Sequence, residues 1–331
     1  MTESVNLPLS AAAAEEYGGW SGLRAELARL GLQGVEGIWP GEPIPEDFPR
    51  ELLTGYHLTF FADWLDFYRA DSRALLEKFG SMDTVRSFYG GEPGPESLLK
   101  LYRDDLARAR ALGARYVVFH VSDVSVEETF TYRWLHGDDA VLDASAEIIN
   151  LLTAELPQDD PMLFLVENQW WPGFTFREPQ KTERLLDAID WPGKGIMLDT
   201  GHLMNTDPSI RSQKEGLRLL ERCIREHGAL SRCVRGLHLH QSVSGAYVRR
   251  NCGALPPEFP APYWDRFAMG YRHVQQLDRH RPWTEPGIAA WLDAVGPEFV
   301  THELAVAGPA ERRRAVQRQR NTIRKGRCEL P

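Results

Sequence analysis

The residues of this sequence with the clearest potential for chemistry are Asp199 and His202, which follow an apolar run at 195–198. A short apolar run that begins at a glycine predicts a buried strand. Asp199 would then lie at the C-terminal end of this strand, and the Thr-Gly turn after it would let His202 face the same opening. A carboxylate and an imidazole placed together are suitable ligands for a borderline divalent metal ion.

The elements that must position these residues alternate regularly along the chain. Strand candidates are residues 5–9, 34–39, 55–61, 114–120, 162–167, 195–199, 234–240 and 298–303. Helical segments lie between them, at 11–30, 63–79, 96–112, 139–156, 181–189, 209–227, 265–277, 286–295 and 311–325. Eight strands that alternate with helices predict a parallel sheet closed into a (β/α)8 barrel. We expect one α/β TIM-barrel domain over residues 1–331, with a long insertion at 242–264 between strands 7 and 8.

The composition of the chain excludes several classes of function. The 331 residues are 43% hydrophobic, which is enough for a large core. A net charge of −9 argues against a protein-wide surface for nucleic acid or membranes. The four cysteines show no CxxC spacing, the N-terminus does not resemble a signal peptide, and no apolar run reaches the ~18 residues of a membrane span. We therefore expect a cytoplasmic protein.

Side chains that bind metals end most of the predicted strands, at the face where barrels of this type have their active sites. A hydrophobic strand has no packing reason to end in this way, and converging ionisable groups are costly unless a cation compensates them. A single histidine or acid at such a position is more often a hydrogen-bonded or solvated residue, but that explanation would have to hold at every position. The candidates are His57, His120, Glu167, Asp199, His202, His238, His240 and Glu303, followed by Asp278 and His280 between strands 7 and 8.

The order and surroundings of these residues resemble the xylose isomerase-like TIM-barrel superfamily, which includes sugar phosphate isomerases and epimerases. The set of ligands is most similar to that of the apurinic endonuclease IV family. The matching pieces cover most of the predicted barrel, and they include Val166-Glu167-Asn168, Leu198-Asp199-Thr200-Gly201-His202, Arg235-Gly236-Leu237-His238 and Asp278-Arg279-His280.

The resemblance implies one to three divalent ions per chain, with zinc expected first and manganese, magnesium or cobalt as alternatives. It also implies that Glu167 and Glu303 are the catalytic residues. The implied ligands form three sets: His57, His120 and Glu167; Glu167, Asp199, His238 and Glu303; and His202, Asp278 and His280.

Departures from the family pattern point to a small substrate. The chain has bulky residues after Asn168, where the family has small ones, and the loop after strand 2 is acidic and lacks the arginine of DNA-binding members. Aromatic loops and an acidic rim suit a small molecule better than duplex DNA. We expect the segment 242–264 to cover the barrel mouth as a lid. The residues expected to contact the substrate are Trp170, Trp171, His240 and Arg249.

Three functions are compatible with this sequence. The first is hydrolysis of a small phosphoester or sugar-phosphate-like substrate by a polynuclear centre, which gives every ligand a role and is slightly preferred. The second is isomerisation or epimerisation of a sugar or sugar phosphate at one ion, with Glu167 and Glu303 moving the proton. The third is a non-catalytic metal-binding or interaction protein.

Overall fold

The computed structural model describes residues 1–328, in which eight parallel strands close into a barrel. Each strand pairs with the next, and β8 pairs with β1 to complete the ring. The strands are β1 Thr2–Pro8, β2 Gly34–Ile38, β3 Leu53–His57, β4 Tyr116–His120, β5 Leu163–Glu167, β6 Lys194–Asp199, β7 Val234–His238 and β8 Phe299–His302. The predicted TIM-barrel fold is confirmed.

Helices fill the connections between the strands. They are α1 Ala11–Glu15, α2 Trp20–Leu30, α3 Leu65–Tyr68, α4 Ser72–Phe79, α5 Met82–Tyr89, α6 Pro95–Leu112, α7 Val126–Thr131, α8 Asp138–Thr153, α9 Pro179–Ala188, α10 Thr200–Asn205, α11 Gln213–His227, α12 Gly245–Asn251, α13 Tyr263–Leu277, α14 Ile288–Val295 and α15 Pro309–Cys328. Within residues 1–328, none of them is long and apolar enough to cross a membrane.

Two of the predicted helices are divided, and the local chemistry explains both breaks. Gly18 and Gly19 have φ values of +78° and +88°, a conformation that glycine adopts without steric cost, and they separate α1 from α2. The predicted helix at 63–79 is interrupted before Asp71. The carboxylate of this residue accepts hydrogen bonds from the backbone N–H groups of Arg73 and Ala74 and so begins α4.

The barrel interior has an apolar lower layer and, nearer the C-terminal ends of the strands, a polar upper layer. Tyr116, Val118, Leu165, Met197 and Phe299 form the buried lower cluster. Side chains alternate along a strand, so the last residues of β4, β5 and β6 point to the same side as this cluster but lie nearer the C-terminal mouth. The strands therefore place their terminal polar side chains on top of a packed apolar floor.

Candidate metal centre

The first set of polar side chains comes from three consecutive strands. His57, His120 and Glu167 are the last residues of β3, β4 and β5, and parallel pairing brings them to the same end of the barrel. Nε2 of His57 and Nε2 of His120 lie 3.3 and 3.2 Å from Oε2 of Glu167. Nδ1 of His57 contacts the carbonyl oxygen of Leu58 at 2.8 Å, an arrangement that orients a metal-binding imidazole.

The second set surrounds one nitrogen of His238. Asp199 and His238 end β6 and β7, and Glu303 directly follows β8. Nδ1 of His238 lies 3.1 Å from Oε2 of Glu303, 3.3 Å from Oε1 of Glu167 and 3.8 Å from Oδ2 of Asp199. Glu167 therefore faces both sets, with Oε2 toward the first and Oε1 toward the second.

The third set depends on the start of α10. Oδ1 of Asp199 accepts a hydrogen bond of 2.6 Å from the backbone N–H of His202, which begins the helix and turns His202 back over the strand ends. Nε2 of His202 lies 3.2 Å from Oδ2 of Asp278, the residue that ends α13. Nε2 of His280 contacts the same carboxylate oxygen. The structure thus brings all of the predicted metal ligands together in one region.

His240 was expected to contact only the substrate, but it lies in direct contact with residues of the metal-ligand sets. It is fully buried, and its Nε2 lies 2.8 Å from Oδ2 of Asp199. Its ring stacks on that of His280 with 4.0 Å between the centroids. Gly201 makes room for it, since a Cβ atom there would lie 2.0 Å from the imidazole of His240. The ligand atoms of His240 and of the third set all lie within 4.8 Å of one another, so His240 is an additional candidate ligand.

The residues present fit divalent metal ions. Both carboxylate oxygens of Glu167, Nδ1 of His238 and Oε2 of Glu303 are buried and have no hydrogen-bond partner among residues 1–328. Buried polar atoms without a partner are costly, and a cation would satisfy them. Ligand atoms about 2.1 Å from a tetrahedral zinc ion lie about 3.4 Å apart. The contacts around Nδ1 of His238, which range from 3.1 to 3.8 Å, have this spacing.

Glu36, which lies on β2 inside the barrel, is a further residue of the site that was not predicted from the sequence. Its Oε1 accepts a hydrogen bond of 2.9 Å from Nε2 of His238. Its Oε2 accepts from the hydroxyls of Tyr116 and Thr301 at 2.8 and 3.1 Å. A carboxylate that accepts from one imidazole nitrogen leaves the other nitrogen for the metal. The available signal was an acidic residue in the middle of an otherwise apolar strand.

Burial and the neighbouring charges shift the pKa values of several of these groups in opposite directions. Burial opposes ionisation of Glu167, but the neighbouring imidazoles hold its pKa well below the usual value. Burial also opposes protonation of His238, but Glu36 and the other carboxylates raise its pKa well above the usual value. In the same way, Asp278 outweighs burial and raises the pKa of His280 to about 10. Bound cations would take the place of imidazole protons in compensating these carboxylates.

An aromatic cavity of about 400 Å³ opens beside this centre. The ring of Phe60 lies 4.1 Å from that of His120, and the ring of Trp170 lies 5.0 Å from that of His202, measured between centroids. Trp171 also lines the cavity. The two tryptophans that we expected to contact substrate therefore lie on a wall shared with the candidate metal ligands.

Only part of the predicted lid at 242–264 lies at the aromatic cavity. Arg249 is exposed on α12, where it donates a hydrogen bond to a backbone carbonyl group, and it is not among the described residues that line the aromatic cavity. Phe259 packs against another part of the chain, whereas Tyr263, at the start of α13, lines the cavity. Helix α13 supplies one side of the cavity through Tyr263, Phe267 and Tyr271. The lid function of 242–264 stays a prediction.

Comparison with known proteins agrees with the fold. Residues 24–293 match a family model described as xylose isomerase-like TIM barrel. Endonuclease IV from Thermus thermophilus is similar with a TM-score of 0.53 and 16% identity, over 98% of this chain and 100% of that one. L-ribulose 3-epimerase has a TM-score of 0.53 and 11% identity, over 99% and 97%. D-psicose 3-epimerase from Clostridium cellulolyticum has a TM-score of 0.51 and 12% identity, over 99% of each chain. No curated protein sequence matches the chain.

Proposed function

The chain belongs to the xylose isomerase-like TIM-barrel family, and from this premise we propose that it is a divalent-metal-dependent hydrolase of a small phosphoester. The supporting observation is the sharing of ligands. Among the described residues, four groups of side chains have ligand atoms that all lie within 4.8 Å of one another, and Glu167, Asp199 and His202 each belong to two of these four groups. A tetrahedral ion takes about four ligands, so one ion would leave many of these buried groups uncompensated. Two ions would engage most of these groups, and three ions would engage all of them.

Each of the three sets would hold one of the proposed ions, and Glu167 belongs to both the first and the second set. The mixture of imidazole and carboxylate ligands suits zinc, and manganese, magnesium and cobalt are the alternatives. Bound ions would activate water and stabilise charge on the attacking and leaving oxygens. The proposed ligands are His57, His120, Glu167, Asp199, His202, His238, Asp278, His280 and Glu303, with His240 added to the third set.

Glu303 is proposed to take a proton from the attacking water. Its side chain is 16% exposed while that of Glu167 is 1% exposed, so solvent reaches Glu303 more readily. Its Oε2 belongs to the second set of ligand atoms, which leaves Oε1, 3.5 Å from Nδ2 of Asn6, to hold a proton. Hydrolysis joins the water oxygen to phosphorus and breaks the P–O ester bond. The proton held on Oε1 of Glu303 then passes to the leaving alcohol oxygen, which balances atoms and charge.

A second candidate function is isomerisation or epimerisation of a sugar or sugar phosphate at a single ion. It is favoured by one relationship, since Oε1 of Glu167 and Oε2 of Glu303 lie 3.3 and 3.1 Å from the same nitrogen, Nδ1 of His238. Two carboxylates that flank one position could move a proton on opposite faces of a sugar. This function would leave His57 and His280 without a catalytic role.

A small molecule is the proposed substrate, because aromatic side chains and α13 enclose the space beside the centre. Duplex DNA would need a wide and basic surface at this position. The cytoplasmic location stays a prediction from the sequence.

Metal content tests the proposal directly. We expect protein purified without added ions to hold two or three ions per chain and to hydrolyse phosphoesters. Glu167→Gln should lower both metal content and turnover, whereas Glu298→Gln, whose side chain is 47% exposed in an ion pair with Arg235, is the matched control and should change neither. One ion per chain with sugar interconversion would favour the second candidate. A chain that takes up none of the four metals would refute both.

A further inference from the structure

The cavity beside the metal-ligand sets is apolar on nearly all sides. Its volume of about 400 Å³ lies within the range of about 300–1,000 Å³ that is usual for small-ligand sites. Three parts of the chain supply its aromatic walls: the segment after β3, the segment after β5, and α13. The principal rings are those of Phe60, Trp170, Trp171, Tyr263, Phe267 and Tyr271.

The cavity offers little to a charged or highly hydroxylated ligand. Among residues 1–328, no lysine or arginine lines it. Two of the polar side chains away from the metal-ligand sets are engaged within the protein, since the Thr129 hydroxyl donates to the carbonyl oxygen of Val126 and Ser125 takes part in the capping box of α7. A sugar placed here would lose hydrogen bonds to water without replacing them.

Three of the wall residues are exposed although their side chains are large and apolar. Phe60, Phe267 and Tyr271 are 51%, 37% and 61% exposed. Exposed aromatic side chains grouped around one opening are typical of a binding surface. A ligand that covers them removes their apolar surface from water, which favours binding.

The cavity is continuous with the metal centre. His120, His202 and Asp278 line it, and all three belong to the metal-ligand sets. Phe60 packs on the imidazole of His120, and Trp170 packs on that of His202. A molecule held at the centre by one end would therefore extend its other end between these rings.

We infer that the alcohol part of the substrate is a flat apolar group, such as an aromatic ring, and not a sugar. The inference rests on the proposed function for the position of the phosphoester group, and it deepens that function by naming the chemistry of the rest of the substrate. The metal centre would recognise the anionic end, and the aromatic walls would recognise the apolar end.

Two hydroxamates that share a metal-binding group test this inference. Acetohydroxamate carries a methyl group and benzohydroxamate a phenyl group, and both are titrated into metal-loaded protein by calorimetry. We expect benzohydroxamate to bind about 30-fold more tightly, which corresponds to about 2 kcal/mol at about 1.4 kcal/mol per factor of ten. Equal affinities for the two compounds would overturn the inference.

Two variants test whether the phenyl group of benzohydroxamate binds in the cavity. Phe267→Ala combined with Tyr271→Ala removes two partly exposed wall rings, while Trp264→Ala removes a ring that is 48% exposed on the same helix and does not line the cavity. The preference for benzohydroxamate should fall about tenfold in the double variant and stay unchanged in the control. Acetohydroxamate should bind all three proteins equally. A preference that survives the double variant would count against the cavity as the binding position.

A third probe separates this inference from the proposed function. If neither hydroxamate binds the metal-loaded protein, the ions have no position open to a substrate and the proposed function is refuted. Titration of 2-naphthol into metal-free protein then decides the question of the cavity. Saturable binding that the double variant weakens and Trp264→Ala does not would uphold an apolar ligand. No saturable binding would overturn it.

Discussion

Oε1 of Glu36 accepts a hydrogen bond of 2.9 Å from Nε2 of His238 and so joins β2 to β7 across the interior of the barrel. The bond leaves Nδ1 of His238 facing the carboxylates of Glu167 and Glu303. Glu36 thus orients a candidate metal ligand from beneath the centre. Carboxylates in this position raise the basicity of a metal-binding imidazole and fix its direction.

Replacing Glu36 by glutamine should weaken metal binding about 10- to 100-fold, because the amide keeps the shape but loses the charge. The measurement is the dissociation constant for zinc, with circular dichroism to show that the fold persists. Glu3→Gln is the matched control, since Glu3 makes a similar contact of 3.0 Å to His302 outside the metal-ligand sets. Equal losses in both variants would indicate a general effect on stability instead.

The double change Asp278→Ala and His280→Ala distinguishes the two candidate chemistries. In a polynuclear hydrolase it should remove one ion and lower turnover about 10²-fold or more, roughly 3 kcal/mol of transition-state stabilisation. Metal content and turnover are measured on the same preparation. Full metal content with nearly normal activity would reject a catalytic third ion and leave the isomerase standing.

Metal binding should release protons. Burial lowers the pKa of His280, but Asp278 raises it to about 10, so below that pH the free imidazole carries a proton that an ion must displace. Apparent affinity should therefore rise with pH up to about 10, by about tenfold per unit for each proton released. Calorimetry in buffers of different ionisation enthalpy counts these protons, and His280→Asn should release fewer. Affinity independent of pH would contradict this reasoning.

A buried lysine supports the loop after β3. Nζ of Lys78 lies 2.6 Å from Oδ1 of Asp63 and 2.8 Å from Oδ2 of Asp66, and all three side chains are at most 8% exposed. Lys78→Met should lower the free energy of unfolding by about 3–5 kcal/mol, because it leaves buried carboxylates without their cation. Urea denaturation measures the loss. Lys100→Met breaks an exposed pair and should cost about 0.5 kcal/mol or less.

The barrel and most of its centre were predictable because two simple patterns coincide in this sequence. Apolar strands made the fold recognisable, and the polar residues that end β3 to β7 marked the mouth. His120, Glu167 and Asp199 all follow this rule, since parallel pairing carries the strand ends to one face. The reaction could not be predicted in the same way, because the fold is similar both to an endonuclease and to epimerases.

Other features depend on contacts that no local pattern encodes. An acidic residue such as Glu36 looks like a solvent-facing position until closure of the barrel turns it inward. The place of His240 depends on the absence of a side chain at Gly201, which lies on a different element. Helix α7 is too short for periodicity to reveal, although its capping box of Ser125 and Glu128 is present in the sequence.

One helix serves two purposes in this protein. Tyr263, Phe267 and Tyr271 of α13 line the aromatic cavity, and Asp278 ends the same helix beside the candidate metal ligands. A ligand that stabilises one position of α13 must also change the free energy of holding Asp278 beside the other candidate metal ligands. Thermodynamic linkage then makes the coupling reciprocal, so metal ions and an apolar ligand should each alter the affinity of the other by the same factor.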